Sequence, residues 1–182
     1  MTLPSVVDMP FPPRPDNLIA QARDGDPDAL TRVYTEHARA LIALAFRLTG
    51  SRADAEDVLH DVFLGLPEAL AHYEERGSFG SWLKRVTVRV ALTRMRSQTR
   101  FREVELEESI TAPTRHDTTD LERVQRAIRA LSPALRAVFV LREIEDYSHA
   151  EIAAMLGISA RASAVRLHRA IRILRETLGE LR

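Results

Sequence analysis

The residues of this sequence that could do chemistry are its arginines, and they gather in two bands. With about 100° of turn per residue and Arg85 as origin, Arg89, Arg96 and Arg100 fall within roughly 60° of one line along a helix. Phe79, Leu83, Val86 and Val90 occupy the neighbouring sector, and Trp82 sits on the seam. A basic stripe edged by an indole holds phosphates and offers a stacking surface to an unpaired base. The same pattern also describes an amphipathic helix with a solvated arginine face and a core tryptophan. In the second band, Arg161, Arg166, His168, Arg169, Arg172 and Arg175 fall opposite Ala164, Leu167, Ala170, Ile171 and Leu174. Upstream, Ser148 can cap a short helix carrying Ile152, Ala153 and Leu156, Gly157 permits a tight turn, and Ser159 can cap the basic helix. That is the shape of a helix-turn-helix, whose second helix enters a major groove. Two core helices joined by a glycine turn are the plainer alternative.

Other chemistries find little support. The six histidines are scattered, without His-Glu-x-x-His, a glycine-rich phosphate loop or a nucleophile motif. His60 and Asp61 beside Asp57 have the helical spacing of a metal pair, but the spacing equally suits surface polar residues. With no cysteine there can be no disulfide and no thiolate metal site. We therefore expect no enzyme, no cofactor and no metal.

The bands need helices to position them. Residues 1–15 carry five prolines and read as a disordered or extended tail. From Asp16 the pattern is helical: Ala29, Leu30, Val33, Tyr34, Leu41, Leu44, Ala45 and Leu48 recur at steps of three and four, up to a stop and new cap at Thr49-Gly50-Ser51. Ala55, Val58, Leu59, Val62, Phe63 and Leu66 form the next stripe with Asp54, Asp57 and Asp61 off it, and Pro67 is expected to kink that helix near its end. A polar loop follows from His72 to Gly77. Ser78 can then cap a helix over about 79–100 that bears the first arginine band. Residues 102–118 lose periodicity and gather acids around Pro113, which reads as a flexible acidic linker. From 119 to 182, Pro133, Tyr147-Ser148 and Gly157 divide the chain into four helices. The expected fold is all-α, with two small helical domains at 16–101 and 119–182.

A length of 182 residues and 45% hydrophobic content suffice for a packed core. Acidic and basic residues balance at 26 each, which argues against a uniformly basic coat for nucleic acid. Lys84 is the single lysine, a bias that codon usage explains as readily as phosphate recognition does. Apolar runs are broken by charge short of a bilayer span, and the first residues lack the form of an export signal. A cytoplasmic protein without membrane contact is expected.

Taken in order, Asp54-Ala55-Glu56-Asp57 through Phe63 and Ser78-Phe79 with Trp82-Leu83 resemble the conserved second region of extracytoplasmic-function (ECF) sigma factors of the sigma-70 family. Leu131-Ser132-Pro133 through Glu143, Glu151-Ile152-Ala153, Leu156-Gly157-Ile158-Ser159 and Arg166-Leu167-His168-Arg169-Ala170 resemble their fourth region. The resemblance implies that Asp54, Glu56, Asp57, His60 and Asp61 dock on the clamp of core RNA polymerase. It implies that Trp82, Arg85, Arg89 and Arg96 meet the -10 element of promoter DNA. Ser159, Arg161, Arg166, His168 and Arg169 would meet the -35 element, with Arg161 nearest the base edges. An anti-sigma factor is a further implied partner, and the acidic linker would traverse the polymerase RNA channel.

This sequence departs from the family pattern at several of those positions. Arg89 stands where asparagine is usual, His60 where glutamine is, and Arg161-Ala162-Ser163-Ala164 replaces a Gly-Thr-Val-Lys run. Promoter specificity therefore does not transfer, and Ser163 is expected near the packed face. The chief rival is a helix-turn-helix regulator with a dimerising N-terminal half, which predicts a homodimer on a palindromic site.

Overall fold

The computed structural model describes residues 15–74, 78–102 and 119–179, and these residues are helical throughout apart from turns and short loops. The Pro-rich segment 1–14 and residues 103–118 of the acidic linker lie outside the described residues. Pro15, the last residue of the expected tail, already opens a helix, α1 (Pro15–Arg23). α2 (Pro27–Thr49) is separate from α1, a break that apolar periodicity alone does not signal. Gly25 adopts φ 81°, and Asp26 caps α2 by accepting the Ala29 amide at 2.7 Å while Pro27 takes the first turn.

Gly50 closes α2 in the left-handed conformation, and Ser51 caps α3 (Arg52–Leu64), as the sequence signals at Thr49-Gly50-Ser51 require. Pro67 does not kink α3. The helix has already ended at Gly65, and Pro67 sits in the first turn of a new helix, α4 (Leu66–Ala71), where its missing N–H goes unused. Ser78 Oγ accepts the Ser81 amide at 3.1 Å and starts α5 (Phe79–Arg102). Leu41, Leu44, Leu48, Val58, Val62, Leu66, Leu70, Leu83 and Val88 interlock in the core formed by α2 to α5.

The C-terminal half runs α6 (Asp120–Ala130), α7 (Pro133–Phe139) with a π turn over Val140–Ile144, α8 (His149–Leu156) and α9 (Ala160–Gly179). α6 begins at a reciprocal capping box of Thr119 and Glu122. Ala127 and Leu131 pack with Ala170 and Leu174 into a small core between α6 and α9. The larger core does not stop at the linker. Ala137, Val138, Val140, Leu141 and Ile152 are buried with the residues of α2 to α5, so α7 and the π turn press directly on the N-terminal half.

At this junction lies Arg136, 7% exposed. Its guanidinium donates to the carbonyls of Leu48 (3.0 Å) and Thr49 (2.7 Å) at the end of α2, and to Arg129 (2.7 Å) and Leu131 (3.4 Å) at the end of α6. A Cβ added at Gly50 would stand 2.8 Å from the same group. Burial pulls the Arg136 pKa below its usual value, yet arginine stays protonated at any working pH. Charge-assisted bonds of this kind contribute about 1.5–3 kcal/mol each, and buried carbonyls left without donors carry a penalty. Arg136→Met should therefore lower unfolding stability by roughly 2–4 kcal/mol in urea melts, whereas Arg172→Met on the exposed face of α9 should stay within about 0.5 kcal/mol.

Candidate polymerase and nucleic-acid interfaces

α3 presents the acidic group of the sequence reading. Glu56, Asp57, His60 and Asp61 are exposed, and Asp54 is half-buried beside them. Three and four residues apart, Asp54, Asp57 and Asp61 share one face. Facing them from α5 is Arg94, hydrogen-bonded to Asp57 and 3.6 Å from carboxylate oxygens of both Asp54 and Asp61. One cation thus gathers three carboxylates into a row and leaves net negative charge. Sequence reasoning missed Arg94, although its place outside the Arg85 stripe was a signal that it serves something else. Glu56 turns the other way, to Arg52 at 2.9 Å.

Arg85, Arg89 and Arg96 are exposed along one side of α5, as the helical wheel predicts. Trp82 belongs as much to the packing as to that side. Its ring stacks on Phe79 (centroids 5.6 Å apart) and tilts against buried Tyr73 (4.8 Å), leaving it half-exposed at the seam. The aromatic group fixes the start of α5 relative to the loop that precedes it. Residues 75–77 of that loop lie outside the described residues.

The helix-turn-helix is built as its signals imply. Ser148 and Glu151 form a reciprocal capping box on α8. Gly157 turns at φ 67°, and Ser159 Oγ accepts the Ala162 amide at 3.0 Å to start α9. The packed side of α9 is centred on Ser163, Ala170 and Leu174. Ala164 is exposed, not packed as the wheel placed it, because the helix is rotated toward its Ser163 side. Ser163 is fully buried, and its hydroxyl pairs with His149 Nδ1 at 2.9 Å, tying the first turns of α8 and α9 together.

Along α9 from its first turn to Arg172, Arg161, His168, Arg169 and Arg172 line one concave, open surface. Arg166 is half-buried at its edge, and Ser159 is exposed at the helix start. The surface can receive a polyanion, with Arg161 closest to the helix N-terminus and the others along its flank. Among the described residues no group of three or more His, Asp or Glu side chains is placed to hold a metal ion, and no helix is long and apolar enough to cross a membrane.

Glu151 accepts from the Ser148 hydroxyl (2.7 Å) and amide (2.8 Å), and those bonds hold its carboxyl below the usual glutamate value. A lowered folded-state pKa means the cap stabilises α8 fully above pH 4.5 and is lost as pH falls through the folded value. The stability difference between wild type and Glu151→Gln should accordingly be largest above pH 5 and vanish in acid, read by circular dichroism melts across pH.

Two family descriptions match the chain: Sigma-70 region 2 over residues 33–101 and Sigma-70 region 4 over residues 121–174. RNA polymerase sigma factor CarQ of Myxococcus xanthus is 32% identical over 164 residues, covering 87% of this chain and 94% of CarQ. ECF RNA polymerase sigma factor SigL of Mycobacterium tuberculosis is 36% identical over 160 residues, covering 82% and 88%. ECF RNA polymerase sigma factor SigE of Mycolicibacterium smegmatis is 32% identical over 80% of this chain but only 60% of its own length. Among solved structures, CnrH in complex with the cytosolic domain of CnrY superposes with TM-score 0.57 at 30% identity, covering 90% of this chain and 96% of that one. The sigma factor RpoE bound to the anti-sigma factor NepR, from Bartonella quintana, gives 0.60 at 23% identity over 82% and 96%, a likeness of fold.

Proposed function

The chain belongs to the ECF RNA polymerase sigma factors of the sigma-70 family, and from that membership we propose which of its surfaces meets each partner. Asp54, Glu56, Asp57, His60 and Asp61 on α3 dock on the clamp of core polymerase. Arg85, Arg89 and Arg96, with Trp82 at their border, hold the separated strand of the -10 element. Arg161, Arg169 and Arg172, flanked by Ser159, Arg166 and His168, read the -35 element. Residues 16–101 and 119–182 act as the two domains, joined through 102–118.

The observation that carries this reading is the separation of charge on one chain of zero net charge. An acidic row on α3 and arginine faces on α5 and α9 are all solvent-accessible, in the order in which both family regions match. Exposed acids promote encounter and register with a basic partner more than raw affinity. Two modest DNA readers tethered to one polymerase gain from high effective concentration. Bond-making belongs to the polymerase; the chain itself catalyses nothing and works in the cytoplasm, where its template is. The solved relatives caught with NepR and with the cytosolic domain of CnrY support an anti-sigma factor as a further partner. Matching of both regions favours this reading over a dimeric regulator.

Run-off transcription with core polymerase on a random promoter library tests the assignment and returns the specificity. Transcripts should appear only when the chain is added; failure to bind core and to start on any template would refute it. Arg169→Ala should weaken binding of holoenzyme to a selected promoter and lower the slope of log K against log salt by about one. Arg85→Ala with Arg89→Ala should leave duplex recruitment near wild type but reduce permanganate reactivity of the opened strand severalfold.

A further inference from the structure

In the middle of the basic face of α9 stands a hydrocarbon. Val165 is 44% exposed, while Leu167, Ile171, Ile173 and Leu174 of the same helix are buried or half-buried. With about 100° of turn per residue and Ser163 as origin, Val165 falls at roughly 200°. Arg161 and Arg172 then fall at roughly 160° and 180°, and His168 and Arg169 at roughly 140° and 240°. Val165 therefore lies at the centre of the concave surface that these four residues line, with Arg161 one turn before it and Arg169 one turn after.

The pair on the opposite side of the helix keeps it there. Ser163 is fully buried and its hydroxyl bonds to His149 Nδ1 at 2.9 Å. Rolling α9 to bury Val165 would pull Ser163 out of that bond and swing Arg161 and Arg172 into the packing. The fold itself gains little from this side chain. Val165 buries only part of its surface, and a branched Cβ is a poorer helix former than alanine or leucine.

The flanking charges identify what an apolar group in this place can meet. A DNA major groove offers one hydrocarbon on its base edges, the C5-methyl of thymine, and sets it beside the acceptors and phosphates that arginines bind. An apolar protein surface, by contrast, would have to desolvate the neighbouring guanidiniums. We propose that Val165 reads the C5-methyl of a thymine in the -35 element, in register between groups held by Arg161 and Arg169. The inference deepens the -35 reading of α9 and rests on it. Ala164, exposed on the same surface, widens the apolar contact. A thymine is thereby selected at a position where arginines alone would favour guanine or hold phosphate.

The decisive test alters the DNA, so its outcome does not depend on the folding of a variant. Holoenzyme assembled from the full chain and core polymerase first selects a promoter from the random library. Each thymine of its -35 element, on either strand, is then replaced singly by deoxyuridine, which removes only the methyl. At one position the replacement should weaken holoenzyme binding about fourfold, the effect of burying one methyl. Val165→Ser holoenzyme should bind the thymine and uracil forms of that position equally, and a selection repeated with it should lose the thymine there while keeping its neighbours. Uracil tolerated at every position, a uracil penalty that persists in Val165→Ser, or a selected element without thymine on either strand would overturn the proposal. If uracil is tolerated throughout while Val165→Ser weakens binding to core polymerase, the side chain meets protein instead. Arg161→Ala combined with Arg169→Ala checks the underlying assignment. Unchanged promoter affinity in that variant would reject the -35 reading itself, whereas lost affinity with uracil tolerated would reject the methyl contact alone.

Discussion

A helix ends with carbonyls that find no partner along its own axis, and in α2 those of Leu48 and Thr49 face α7 where water would otherwise serve. α6 ends beside them, with the carbonyls of Arg129 and Leu131. The single guanidinium of Arg136 answers both ends, one from each half of the chain, and sets a positive charge against two negative helix termini. That shared cap fixes where α7 meets α2. The burial of Val138, Val140 and Leu141, the approach of Glu145 to Arg47 and Lys84, and the lie of α8 over α5 all follow from it.

Charge is balanced in the whole chain but sorted within it. Some arginines are committed internally: Arg136 to carbonyls, Arg94 to the aspartate row of α3, Arg47 to Glu145. Others remain at the surface, on α5 and α9. This division explains how a chain of zero formal charge can present separate acidic and basic surfaces. It also shows why arginine suits the internal posts, since its fork of donors satisfies several carbonyls or carboxylates at once where a lysine supplies a point charge.

The departures from the family pattern have different physical weight. Ser163, in place of a valine, is buried but not orphaned, because His149 supplies the partner its hydroxyl needs. Arg89, in place of an asparagine, adds charge to the face of α5 and to the wall of the cleft with α8. The first change is absorbed within the helix-turn-helix, and the second adds a cation to an exposed face of α5.

Helix periodicity, the stop at Gly50, the caps at Ser51, Ser78, Ser148 and Ser159, the turn at Gly157 and both arginine stripes could be read directly from residue order, because each depends on neighbours within about one turn or on the fixed 3.6-residue repeat. Pro67 reads in sequence as a kink, because a proline looks alike as a kink and as a first-turn residue until the preceding Gly65 is seen to end the helix. Arg136, Arg94 and Glu145 look in sequence like three more charges among many. Their distant partners are Leu48 and Thr49 for Arg136, Asp54, Asp57 and Asp61 for Arg94, and Arg47 and Lys84 for Glu145, all far away along the chain. Only the tertiary structure decides such pairings, since the strength of a buried charge depends on which groups the fold brings within hydrogen-bond reach and how much water it removes around them.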